Sequence, residues 1–207
     1  MTRSGSDRTA LMSETKLVDD EADAHDVAAA QVDMAAFAPL FHRYWPRIYR
    51  YCALRCACPA DAEDIASQIF VQALAKLPAF APQGPGAFRR WLFTIAHHEV
   101  VSRARYEARH PARPLDLVRE QVVIIGPSLE HAAITAADVD SLLMLVHELP
   151  PRLREVIELR LVGLSDREIA EVLGISGPAV RKAQSRAVAH LRRQASALVP
   201  EEQQHHA

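Results

Sequence analysis

Long apolar runs are missing from this chain. None of its 207 residues falls in a segment approaching the ~20 consecutive apolar side chains that cross a bilayer, and the opening MTRSGSDRTALMSETK lacks the apolar centre of a secretory signal. The expectation is a soluble, cytoplasmic protein with no membrane partner. Strand-forming runs are scarce, while Ala, Leu, Arg and Glu recur at helical spacing, so the expected class is all-α. Cysteine is limited to Cys52, Cys56 and Cys58, crowded into YCALRCACPADAED, and an odd number so close together is no disulfide framework. Cys52 and Cys56 share a helix face and, with Cys58, could hold zinc or sense oxidation. The plainer reading is small apolar residues at a helix contact. None of the ten histidines stands in an H-x-x-x-H pattern beside a suitable acid, and the adjacent His97 and His98 diverge on a helix. A Gly-rich phosphate loop, a nucleophile–base arrangement and a paired-carboxylate signature are all lacking. No enzyme chemistry, metal or cofactor is expected.

What is present is helical pattern and charge. With 49% hydrophobic and 24% charged residues, the chain can bury a core in two small domains. Residues 1–33 are polar, Ala-rich and acidic, with Asp19, Asp20, Glu21, Asp23 and Asp26 clustered, and read as a disordered leader. Such an acidic segment could fold back on a basic face and compete with a polyanion. Residues 34–110 carry three amphipathic stretches. The first repeats Phe37, Leu40, Phe41, Tyr44, Ile48 and Cys52; the second, opened by Pro59, turns Ile65, Ile69, Phe70, Ala73 and Leu77 inward; the third does the same with Phe88, Trp91, Leu92 and Ile95. They predict a compact helical domain. Residues 111–137, with prolines and no sustained period, read as a linker; residues 138–195 resume the helical pattern, and 196–207 form a tail.

The second domain holds the strongest local signal, SDREIAEVLGISGPAVRKAQSRAVAHLRR from Ser165 to Arg193. Ser165 and Glu168 have the spacing of a capping box, and Leu164 with Ile169 that of a hydrophobic staple. Gly174 can take the left-handed conformation that ends the helix, and Ser176 caps the next one. Helix, tight turn, helix is helix-turn-helix grammar. At about 100° per residue, Val180, Ala187 and Leu191 point one way, and Pro178, Arg181, Lys182, Ser185 and Arg186 the other. A cationic outer face on the second helix of such a pair suits the major groove, with Ser176 and the helix N-terminus near a phosphate. The chain's net charge of −2 conceals this local concentration because the acidic leader offsets it.

The stretches FAPLFHRYWPRIYRY, PADAEDIASQIFVQAL, AFRRWLFTIAHHEVVSRAR and ELPPRLREVIELRLVGLSDREIAEVLGISGPAVRKAQSRAVAHLRR together resemble the extracytoplasmic-function, or group-four, sigma factors of the sigma-70 family. The resemblance spans residues 34 to 193 apart from the linker. It implies that the second domain, region-four-like, reads the minus thirty-five promoter element as duplex. It implies that the first, region-two-like, recognises and helps melt the minus ten element, with Arg89, Arg90, His97, His98, Ser102, Arg103 and Arg105 of the third stretch as its candidates. By the same analogy Asp61, Glu63, Asp64, Ser67 and Gln68 dock on the clamp of the large subunit of core RNA polymerase, and an anti-sigma protein is a further conceivable partner. The family usually has an acid and a threonine where Gln68 and Ile69 stand, asparagine at His98 and leucine at Gln184. Two alternatives remain: a helix-turn-helix regulator that works without polymerase, and a Cys/His metal or redox sensor carrying a DNA-binding module.

Overall fold

The computed structural model of the protein describes residues 20–56, 58–110 and 143–198. The linker expected at 111–137 and the outer parts of the leader and tail lie outside the described residues. Every regular element among the described residues is helical, and the chain divides into two compact units.

The first unit begins earlier than the sequence suggests. Residues 20–32, assigned above to a disordered leader, form a helix, α1. Its aspartates are drawn inward, while Glu21 stays exposed. Arg43 bridges Asp23 at 2.6 Å and Asp26 at 2.8 Å, the Tyr44 hydroxyl donates to the second Asp23 oxygen, and Asp20 meets Arg89 at 3.1 Å. Val27 and Ala30 from the same helix enter the core. A low-hydropathy segment folds because its counter-charges wait on other helices, which a local composition count cannot register. Burial pushes the Asp23 carboxyl above its ordinary value, against the lowering pull of Tyr44 and Arg43. Gln31, near the end of α1, donates to the carbonyls of Leu77 at 2.9 Å and Phe80 at 2.7 Å and so holds the chain leaving the third helix.

A short 3-10 turn over Met34–Phe37, capped by Asp33, leads into α2, Ala38–Ala53. Then come α3, Pro59–Lys76, a second 3-10 turn at Leu77–Ala79, and α4, Ala87–Arg109. The inward stripes read from the sequence are the buried ones. Leu40, Tyr44, Ile48 and Cys52 of α2, Ile65, Ile69, Phe70 and Ala73 of α3 and Phe88, Leu92 and Ile95 of α4 are all buried. Each such large side chain contributes about 1.5–3 kcal/mol by leaving water. Ring pairs fix the helices against one another, Tyr44 with Phe88 at 5.4 Å and Tyr51 with Phe93 at 6.0 Å. Trp91, on the Phe88 stripe, packs on Phe80 at 4.6 Å and stays half-buried. Cys52 is fully buried, and that burial raises its thiol far above the range in which a thiolate forms.

The second unit comprises the helical residues 143–147, α5, then α6, Pro151–Leu161, α7, Asp166–Leu173, and α8, Gly177–Leu198. Val146, Leu149 and Ala187 form a buried cluster, with Leu153, Ile157 and Leu191 packed on it. Val156, Leu159, Leu164, Ile169, Val172 and Val180 complete the core. Glu148 accepts from Gln194 at 2.6 Å, which ties the far end of α8 to the segment before α6.

Candidate nucleic-acid interface

In the second unit the geometry starts at the cap of α7. The Ser165 hydroxyl accepts from the Glu168 amide while the Glu168 carboxylate accepts from the Ser165 amide at 2.7 Å, so both partners of the capping box are engaged. Glu168 is only 4% exposed and its charge sits at the positive end of the helix. Leu164 and Ile169 are buried beside it, as a staple requires. Gly174 ends α7 with φ at 63°, and a Cβ there would meet nothing within 4 Å. The glycine is needed for its backbone conformation and not for space. Ser176 then receives the Ala179 amide at 3.4 Å and opens α8.

This turn presents α8 with Val180 and Ala187 against the core and its other side outward. Ser176, Pro178, Arg181, Lys182, Ser185 and Arg186 are all exposed, as the helical arithmetic places them. They form one surface of donors and positive charge at the N-terminal half of the helix, the part that a groove can admit. Sequence reasoning missed the partner of Gln184. Its amide is half-buried and donates to Asp166 at 2.9 Å.

In the first unit the structure separates residues that the sequence grouped. Arg89 is 3% exposed and paired with Asp20, which removes it from any surface a nucleic acid could touch. Arg90 turns back, donating to the carbonyls of Gln83 at 3.0 Å and Pro85 at 2.5 Å, so it shapes the loop before α4. His97 lies within hydrogen-bond distance of the Tyr51 hydroxyl at 3.2 Å. Burial, and after it the charges of Arg55, His98 and Arg105, lower it to about 4, so at neutral pH it carries no charge to offer a phosphate. Arg103 is exposed yet engaged, 2.5 Å from Glu107 and 3.8 Å from Asp61. His98, Ser102 and Arg105 remain, spaced at i, i+4 and i+7 on the open side of α4. Arg89 and Arg90 fall in the first half of α4, which is buried on several sides, and a count of arginines does not distinguish that half from the free one.

On α3, Glu63, Asp64, Ser67 and Gln68 are exposed and Asp61 is partly so. Val71, 58% exposed, extends the same side with an apolar patch. Asp64, Ile65 and Gln68 also form one wall of a 460 Å³ cleft whose other wall is Glu99, Ser102, Arg103 and Tyr106 of α4. The two candidate surfaces of this unit therefore adjoin. Tyr106 was not singled out by sequence; its exposure next to Arg105 is the signal that an aromatic among cations gives only once the helix face is known. Among the described residues no group of three His, Cys, Asp or Glu side chains is arranged to hold a metal ion, and no helix is long and apolar enough to cross a membrane.

Comparison with known proteins covers both units. Residues 40–110 match the family described as Sigma-70 region 2, and residues 140–191 match Sigma-70, region 4. The ECF RNA polymerase sigma factor ShbA of Streptomyces griseus is 36% identical over 79% of this chain and 90% of its own length. The ECF RNA polymerase sigma factor SigD of Mycobacterium tuberculosis is 32% identical over 82% of each. Among solved structures, CnrH in complex with the cytosolic domain of CnrY aligns with a TM-score of 0.61 at 28% identity, over 83% of this chain and 96% of that one. The sigma factor RpoE of Bartonella quintana, in complex with the anti-sigma factor NepR, aligns with a TM-score of 0.60 at 23% identity and shares the fold.

Proposed function

The chain belongs to the sigma-70 family as an ECF RNA polymerase sigma factor, and on that premise we propose how its surfaces divide the work. The factor directs core polymerase to particular promoters and promotes melting at initiation; it binds and positions, while the chemistry of RNA synthesis belongs to the polymerase. In this reading α8 enters the major groove of the minus thirty-five element, with Arg181, Lys182, Ser185 and Arg186 toward base edges and phosphates and Ser176 and Pro178 at its mouth. His98, Ser102 and Arg105 of α4 face the minus ten element. Asp61, Glu63, Asp64, Ser67 and Gln68, extended by Val71, meet the clamp of the large subunit. Because the sigma factor RpoE was solved with the anti-sigma factor NepR, an anti-sigma protein is a further partner to expect here. Cytoplasmic placement follows from the task.

The observation that carries this proposal is the exposed cationic half of α8, set by a completed capping box and a left-handed glycine, in a chain that also holds a region-two unit. Run-off transcription with the full chain and core polymerase, on genome fragments of the encoding organism, tests it. Discrete start sites preceded by a shared upstream element are expected, and transcripts no different from those of core alone would overturn it. Asp64→Arg should lower co-elution with core polymerase about tenfold or more, since a like charge is set into a complementary surface, with the thermal midpoint unchanged. Normal assembly of that variant would place the docking surface elsewhere. A regulator independent of polymerase would bind promoter duplex equally with and without core.

A further inference from the structure

The half-buried amide of Gln184 occupies a position where the apolar seam of α8 gives way to its outer face. The amide donates to Asp166 at 2.9 Å, and Asp166, the first residue of α7, lies 3.4 Å from the Arg160 guanidinium near the end of α6. Arg160 in turn donates to the carbonyl of Leu164 at 3.1 Å, in the loop between those helices. One carboxylate thus joins α6, α7 and α8. We propose that this bridge sets the rotation of α8 about its own axis and makes Gln184 a positioning residue for promoter discrimination, a role that rests on the groove-reading function assigned to α8.

The physical need for such a device follows from the seam. Val180 and Ala187, the residues of α8 that are fully buried on either side of Gln184, are small, the larger Leu191 lies a turn further on and only half-buried, and apolar packing is non-directional. Small residues in a groove allow a helix to roll with little loss of buried area. A hydrogen bond has a preferred distance and angle and resists the same motion. Gln184 lies three residues after Arg181 and is the immediate neighbour of Ser185, so a roll at Gln184 carries both readers with it. With side-chain tips roughly 5–6 Å from the helix axis, a roll of about 15° displaces them by about 1.5 Å. That is enough to break a bidentate contact to a base while leaving phosphate attraction nearly intact.

The test uses the full chain reconstituted with core polymerase and two duplex probes: one enriched by the wild-type holoenzyme from a random upstream pool, and the same duplex with its upstream element scrambled. Gln184→Leu retains an apolar neighbour for the seam and removes the bond. It is expected to leave the thermal midpoint of the free chain within about 2 °C, to keep affinity for the scrambled probe, and to reduce the ratio of selected to scrambled affinity about tenfold, the scale of one lost base contact. Asp166→Asn keeps an oxygen acceptor and should retain the ratio. Q184E sets two carboxylates together and should lose it, and combining Q184E with D166N, which reverses donor and acceptor, should recover most of it. Discrimination within twofold of wild type for Gln184→Leu would overturn the proposal, as would equal discrimination by Q184E and the double variant. A wild-type holoenzyme that shows no preference between the probes would instead overturn the groove-reading function itself.

Discussion

Two charged helices, α1 and α8, use their charges in opposite ways. The aspartates of α1 turn inward: Asp23 is 2% exposed, and Asp20, Asp23 and Asp26 each meet an arginine of another helix. The cations of α8, Arg181, Lys182 and Arg186, turn outward. In one case charge substitutes for a hydrophobic stripe and fastens a helix to its unit; in the other the apolar seam does the fastening and the charge is left for a ligand. A run of like charges in a sequence therefore says nothing about its direction until the opposite charges of the rest of the chain have been placed. Because the pairs of α1 are partly shielded from water, they are stronger than surface pairs, and their loss is correspondingly costly.

The sharpest way to break this contrast is at Asp23. Asp23→Ala leaves the Tyr44 hydroxyl and one arm of Arg43 facing an emptied site, and is expected to destabilise the first unit by about 3 kcal/mol, read as a lowered denaturant midpoint. Little change would mean that α1 is only laid on the surface. The matching change on α8 should behave oppositely. Arg181→Ala and Lys182→Ala should each cost about 1–3 kcal/mol in binding the upstream element and nothing measurable in stability, as judged by filter binding and thermal melting of the same preparations. Ser165→Ala tests the cap that orients the outward face. It should cost about 1 kcal/mol of stability in the second unit, with promoter affinity falling only as far as the folded fraction does.

The smallest expected effect is a pH slope in the first unit. His97, lowered to about 4 in the fold by burial and by its cationic neighbours, takes up a proton more readily when unfolded, where its ordinary value is near 6.5. Folded stability is therefore full above that value and declines as pH falls from about 6.5 toward 4. The thermal midpoint between pH 7 and 5.5, above the range of most carboxylates, should fall less for His97→Gln than for wild type. Equal slopes would assign the decline to other groups.

Much of the second unit was legible because its signals are local. A cap at Ser165, a left-handed stop at Gly174 and a seam repeating from Val180 to Ala187 are each decided within a few residues of chain. The helices α2 and α3 were legible for the same reason, since one face of each is buried and the other is not. Most of the failures share a different cause. Burial of Arg89, the neutral state of His97 and the helix at residues 20–32 all depend on partners far along the chain, while Arg90 turns back onto loop carbonyls only five and seven residues away that no side-chain pattern reveals. Gln184 is instructive because it stands where the family usually has leucine, and the position of Asp166 on the adjacent helix gives its amide a partner.

The seat of α1 also bears on the order in which the protein can be made. This helix leaves the ribosome before its partners do: Gln31 reaches its acceptors 46 and 49 residues further on, and Asp20 must wait for Arg89. Closing so long a loop has an entropic cost before any contact repays it, so α1 is expected to pair first with Arg43, 17 and 20 residues on, and to complete its seat late, and until then it is the segment open to a protease or to a partner that favours the unclosed form. In the helix-turn-helix unit the bond between Gln184 and Asp166 spans only 18 residues, and it can close as soon as α8 emerges. The lifetime of a newly made factor in the cell would then be governed by the fit of a helix that touches no promoter base.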